Sequence, residues 1–262
     1  MLRTVASTRY VTPFREGGSL PGLCEADDEG LYVVKFHGAG QGPKALAAEV
    51  IVGELARALG LPVPELVLVE LDARLAAGEP HWEVKELLDR SPGTNLGVDF
   101  LPGALGFAPA VGPAPDPELA AAFVWLDAFT LNVDRSPRNP NLLVWHRRLY
   151  GIDHGAALYV HHRWEDAARD PGHARRPFPQ SRDHVLLPFA GSIVEADGRL
   201  APLVTGDLLE ALVALVPDAW LAGEPAFASV ADNRRAYVDY LRARIAAPRA
   251  FVEEAERART GA

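Results

Sequence analysis

The sequence has a single cysteine, Cys24, a single methionine and no long apolar run. One cysteine excludes an internal disulfide and a cysteine-based zinc site, and it suits a reducing compartment such as the cytoplasm. Cys24 is expected to serve as small, semi-buried filler. No apolar stretch approaches the roughly 18 residues of a membrane span, and the N-terminus lacks the charged-then-apolar order of a signal peptide. Excess positive charge is missing too. The net charge of −9 argues against a nucleic-acid surface, which would carry a basic stripe. Repeats of 20–50 residues and coiled-coil heptads are likewise absent.

The 262 residues that remain are 48% hydrophobic and 23% charged, the balance of an ordinary globular protein large enough to bury a sizeable core. Leu31-Tyr32-Val33-Val34-Lys35-Phe36 is rich in β-formers and reads as a strand. The lysine inside it has two readings: an outward-facing edge residue, or a cation turned toward phosphate oxygens. Lys44 to Leu59 repeats apolar residues at helical spacing, and Gly60, Pro62 and Pro64 stop it. Either of its carboxylates, Glu49 or Glu54, would reach back to Lys35. Glu54 has Arg57 as a local partner, which favours Glu49. Glu65–Leu71 and Trp82–Leu88 read as further strands. Gly103–Pro117 reads as an exposed loop, and Glu118–Leu131 as a buried, alanine-rich helix. The sequence predicts three more helices, at Gly206–Val216, Ser229–Ala246 and Arg249–Arg259, after an irregular stretch from Ala156 to Ala190. His161, His162 and His173 in that stretch lack carboxylates or cysteines at ligand spacing, so a metal role is set aside.

The chemistry concentrates in Asn132-Val133-Asp134-Arg135-Ser136-Pro137-Arg138-Asn139-Pro140-Asn141 and in Ile152-Asp153-His154-Gly155. Between them, Leu142–Trp145 and Leu149–Ile152 flank His146-Arg147-Arg148 and predict a β-hairpin. Its closure would bring Asp134, Asn139 and Asp153 to one edge. Oxygen ligands of this kind suit Mg²⁺ accompanied by substrate phosphates. Phosphoryl transfer needs one Asp to orient the attacking hydroxyl, with an Asn and an Asp on the metal. Asp134, Asn139 and Asp153 also all favour turns, so capping of tight loops is the plain structural alternative.

Taken in order, the lysine strand, the helix with Glu49 closing on Leu59-Gly60-Leu61-Pro62-Val63-Pro64, the loop from Asn132 to Asn139 and the Ile152-Asp153-His154-Gly155 run resemble a HipA-like kinase. The catalytic loop is also similar to that of phosphatidylinositol kinases. The resemblance runs from about Gly17 to Gly155. It implies an α+β, two-lobed protein-kinase-like fold, with a small β-rich N-lobe over residues 1–92 and a mainly helical C-lobe over 93–262. Asp134 would be the catalytic base, and Arg135 and Arg138 would add positive charge near the transferred group. Asn139 and Asp153 would bind Mg²⁺, with Asn141 as a spare for Asn139. Lys35 would meet the phosphates of ATP, steadied by Glu49, and Gly17, Gly18 and Ser19 would offer backbone N–H groups to them.

The implied function is ATP- and Mg²⁺-dependent transfer of the γ-phosphate to a hydroxyl on a protein, on the enzyme itself or on a small molecule. The rival is a catalytically inactive nucleotide-binding or scaffold protein. Nucleic acid and membrane are not expected partners, and the length leaves no room for the module that engages an antitoxin. Asp153 is followed by His-Gly in place of Phe-Gly, which leaves the acceptor and its control open.

Overall fold

The structure is a computed structural model that describes residues 1–14, 20–111 and 114–261. The glycine bend with Gly17, Gly18 and Ser19 lies outside the described residues. The chain runs β1 (Thr4–Pro13), β2 (Gly22–Ala26), β3 (Leu31–Lys35), α1 (Gly42–Ala58), β4 (Leu66–Leu71), α2 (Trp82–Asp89), β5 (Gly93–Asp99) and β6 (Leu105–Gly106). It continues with α3 (Pro117–Thr130), β7 (Leu142–Trp145), β8 (Arg148–Gly151), α4 (Trp164–Arg169), α5 (Ile193–Leu200), α6 (Gly206–Val213), α7 (Asp218–Leu221), α8 (Val230–Ile245) and α9 (Ala250–Thr260). The fold is mixed α+β. No described helix is long and apolar enough to cross a membrane.

Five strands form a closed barrel in the order β1-β2-β3-β5-β4, with β1 and β4 parallel at the closure. The alternation of strand side chains decides what faces where. Val5, Cys24, Tyr32, Val34, Val67 and Val69 fill the barrel with one apolar cluster. Cys24 is fully buried there, and desolvation pushes its thiol up to about 11, as inert filler requires. The opposite faces of β3, β4 and β5 carry Val33, Leu66, Leu68, Leu96 and Val98, which join the larger core around α1 and α3. Lys35 follows Val33 by two residues and shares that outer face.

α1 is buried on nearly every side, since it lies between β4 and the α6–α7 segment. α3 is buried from Ala120 to Thr130. Asp116 caps its start by accepting from the Leu119 N–H, with Pro117 at the first helical position. Its last turn is closed by Leu131 in the left-handed region, φ 60°, and by Arg244 of α8. The buried guanidinium of Arg244 donates to the Ala128 and Phe129 carbonyls at 2.7 and 2.6 Å, groups that a helix end leaves without partners. The loop that begins at Asn132 therefore starts from a rigid end.

Several expectations need correction. Trp82–Leu88 is the helix α2, because Val84, Leu87 and Leu88 bury one helical stripe against the barrel core. The expected loop 103–117 contains β6, which pairs Leu105 with Val144 and Gly106 with Leu143. The stretch 156–190 holds α4 and several short 3₁₀ turns. α5 was not expected, although Ser192 and Glu195 form the start of a capping box. β5 begins just after residue 92 and pairs with both β3 and β4 inside the barrel.

Gly97 marks how tightly that barrel is filled. A Cβ there would sit 2.6 Å from Val69 Cγ2 and 2.8 Å from Val67 Cγ2, whereas one on Gly106 would meet nothing within 4 Å. Gly97→Ala is expected to cost about 1–3 kcal/mol by overpacking, and Gly106→Ala less than about 0.5 kcal/mol. Denaturant melts of the two variants check this, and equal midpoints would contradict it.

Candidate active site

Lys35 Nζ lies 2.8 Å from Glu49 Oε2 and 2.8 Å from Asp153 Oδ1. One ammonium thus joins β3, the middle of α1 and the segment after β8. The Glu49 contact is an ion pair off hydrogen-bond geometry, while Asp153 accepts a hydrogen bond. The Glu49 side chain is 3% exposed and that of Lys35 14%, but Asp153 keeps 47% of its surface open. Burial opposes the charge on Lys35, yet the two carboxylates outweigh it and hold its pKa above the ordinary lysine value. The lysine charge in turn holds the Asp153 carboxyl below the usual range. Glu54 pairs with Arg57 at 3.2 Å, so Glu49 is the carboxylate that meets Lys35.

The hairpin explains how Asp153 arrives. Leu142 pairs with Gly151, and the Ile152 N–H donates to the Asn141 carbonyl at 3.0 Å, so Asn141 and Ile152 stand abreast at its open end. Asp153 then takes φ 55°, a left-handed turn that Asp tolerates better than most residues. On the other limb, Asp134 Oδ2 accepts from Asn139 Nδ2 at 2.8 Å and from Asn141 Nδ2 at 3.3 Å. A carboxylate can only accept, so the nitrogen of the Asn139 amide faces Asp134 and its oxygen is left over. Asn141 also donates to the Asp134 carbonyl at 2.6 Å. Arg138 is exposed and lines a pocket with Val133, Gln180 and Asp183 that shares no residue with the cavity at Lys35.

Arg135 departs from expectation. Its side chain is fully buried and points inward, so it adds no charge at an open site. Its Nε–H donates to Asp127 Oδ2 at 2.5 Å, Nη1 donates to the carbonyls of Asn141 and Ile152, and Nη2 lies 3.1 Å from His154 Nδ1. Asp127 further accepts from Asn132 Nδ2 at 3.0 Å and lies 2.9 Å from His184 Nε2. Burial disfavours its charge, but Arg135 and His184 overcome that and hold the carboxyl far below the usual range. The participation of Asp127, His154 and His184 was not foreseen. Asp127 carried a signal, being the one charged residue between Leu119 and Thr130 of an otherwise apolar helix.

The donor set suits a divalent cation of the Mg²⁺ kind. Asp153 is half open and held in its charged form by Lys35, as a cation ligand must be, and the oxygen of Asn139 on the other limb of the hairpin is not taken by the bond to Asp134. Among the described residues no cluster of three or more His, Cys, Asp or Glu could hold a metal ion, so His161, His162 and His173 form no such site. The space enclosed at Lys35 is about 20 Å³, room for roughly one water.

With this geometry, the sequence can be set against known proteins. A family model described as HipA-like kinase matches residues 8–248. The chain belongs to the HipA-like kinase family. Among curated proteins none matches the sequence. Among solved structures, this HipA-like chain is similar to the crystal structure of the Helicobacter pylori proinflammatory kinase CtkA, at 12% identity and a TM-score of 0.57, over 98% of this chain and 99% of that one. At that identity the likeness is one of fold.

Three buried histidines, His154, His161 and His184, give the family member an acid-sensitive core, and burial together with the Arg135 charge pushes His154 down to about 3. Burial depresses His184 despite the pull of Asp127, and burial together with His162 and Lys44 depresses His161. The unfolded chain takes up these protons near pH 6.5 while the folded one resists, so the unfolded state binds more protons and stability rises with pH. Each contributes up to about 1.4 kcal/mol per pH unit as the pH falls below about 6.5. Melting temperatures are expected to drop between pH 7 and 5, with a shallower slope in His161→Gln. An unchanged slope would show that His161 titrates normally.

Proposed function

We propose that the chain is an ATP- and Mg²⁺-dependent phosphotransferase that moves the γ-phosphate of ATP to a hydroxyl. The observation that carries this is the contact of Lys35 with both Glu49 and Asp153, at the end of the hairpin whose other limb holds Asp134 and Asn139. On this reading the molecule has two lobes. The barrel with α1 and α2 forms the small one, and the boundary follows β5 near Asp99 instead of residue 92.

Lys35 offers a fixed positive charge to phosphate oxygens, and Glu49 keeps it on the open side of α1. Asp153 and the Asn139 oxygen, or that of Asn141, would hold Mg²⁺, which when bound offsets negative charge on the transferred group. Asp134 accepts the proton of the attacking hydroxyl or orients it. Its two amide partners fix the carboxylate so that little reorganisation is needed at the moment of transfer. Arg138 lines a separate pocket with Gln180 and Asp183, which supports a role toward the acceptor. Gly17, Gly18 and Ser19 remain our assignment for backbone contacts to the phosphates.

Asp134→Asn tests the mechanism. It preserves shape and removes the proton acceptor, so phosphate transfer from labelled ATP is expected to fall about 10²–10⁴-fold, with nucleotide affinity unchanged. Undiminished transfer would overturn the role of Asp134. Absence of transfer by the wild-type protein to itself or to any acceptor would favour a non-catalytic nucleotide binder.

A further inference from the structure

We infer that Arg135 is a positioning residue that holds the two limbs of the site in register, and that Asp127 of α3 fixes Arg135 in place. The inference rests on the phosphotransferase reading. The guanidinium reaches three separate segments at once. It donates to the carbonyl of Asn141, the last residue of the loop bearing Asp134 and Asn139, and to that of Ile152, the residue before Asp153. It also meets His154 Nδ1 just beyond Asp153 and the Asp127 carboxylate from α3.

Asn141 and Ile152 are otherwise joined by one backbone hydrogen bond, beyond the last ladder pair of β7 and β8. A strand end held that way frays readily. Arg135 clamps it from inside with the same fork of donors, so a shift of either limb would break hydrogen bonds on both. The anchor is itself well held. Asp127 takes Asn132 Nδ2 and faces His184, and Asn132 accepts from the Asp134 N–H at 3.1 Å. The loop therefore returns to α3 on each side of Asp134. The Arg135 guanidinium also lies 5.7 Å from the Phe123 ring centroid, which adds a flat wall behind it.

Stability alone does not explain a fully buried Arg–Asp pair here. Apolar residues of similar volume often hold a core as well or better, and fixing one arrangement among several is the role such pairs serve best. Lysine cannot substitute, because one ammonium lacks the planar fork that meets Asp127, two carbonyls and an imidazole together.

The test compares wild type with Arg135→Lys, using hydrogen–deuterium exchange over residues 132–141 and 152–155 and, separately, kcat and KM for ATP. Faster exchange in both segments is expected, with α1 and the barrel protected as before. Loss of a residue that orients such groups typically costs about 10–100-fold, so kcat per folded molecule is expected to fall by that factor while KM for ATP stays within about threefold. Exchange unchanged in either segment, or faster throughout the molecule, would overturn the inference. So would an activity loss that matches the unfolded fraction. Should Arg135→Lys fail to fold, Asp127→Asn, which keeps the arginine and removes its counter-charge, is held to the same criteria. The exchange readout stands even where wild type transfers no phosphate, so it separates this inference from the reading beneath it.

Discussion

Lys35 is a single positive charge held between two carboxylates, one 14 residues on along the chain and the other 118. Removing one partner of the buried pair leaves the other uncompensated. A buried ammonium without Glu49 would lose its proton or its position, since desolvation acts against the charged form. A buried Glu49 without Lys35 would be an uncompensated carboxylate inside α1. The pair is thus a mutual requirement, and it fixes the outer face of the barrel against α1. Asp153 is different, because half of its side chain remains open to solvent. On the phosphotransferase reading it is the member that would exchange Lys35 for a cation, since only its side chain is open enough to take a second partner.

The second constraint is the length of the hairpin. β7 and β8 have four residues each, just enough to set Asn141 beside Ile152 and to leave Asp134 and Asp153 on the two limbs that follow. Everything around these limbs is rigid. α3 is buried from Ala120 to Thr130 and capped at both ends, Arg244 closes its last turn, and the Asp127–Arg135 pair carries that rigidity outward. Groups that must meet a reacting atom gain from a scaffold that does not rearrange.

Much of this was legible in the residues. Helix and strand periods located α1, α3, β3, β4 and the hairpin, because each buries a face and the burial is written in the spacing of apolar side chains. Glu49 could be preferred over Glu54 since Arg57 already answered Glu54. What escaped depends on contacts distant in sequence. The parallel pairing of β1 with β4 that closes the barrel leaves no local trace, and β5 was not picked out as a strand because Gly93, Asn95 and Gly97 look like loop residues until their neighbours are known. α2 has only eight residues, too few for its period to stand out against a strand. Arg135 was misjudged because sequence gives a side chain's identity but not its direction. Beside an exposed Arg138 and in a polar loop, nothing except the lone carboxylate of Asp127 in an apolar helix hinted that it turns inward.

If the chain is the phosphotransferase we propose, Asp153 leaves Lys35 for a cation that accompanies the nucleotide. Calorimetric titration of ADP with and without Mg²⁺ addresses it directly, in the wild type and in Asp153→Asn. Tighter binding with Mg²⁺ in the wild type is expected. In the variant that gain should vanish, while metal-free binding persists. An equal response to Mg²⁺ in both proteins would contradict the account.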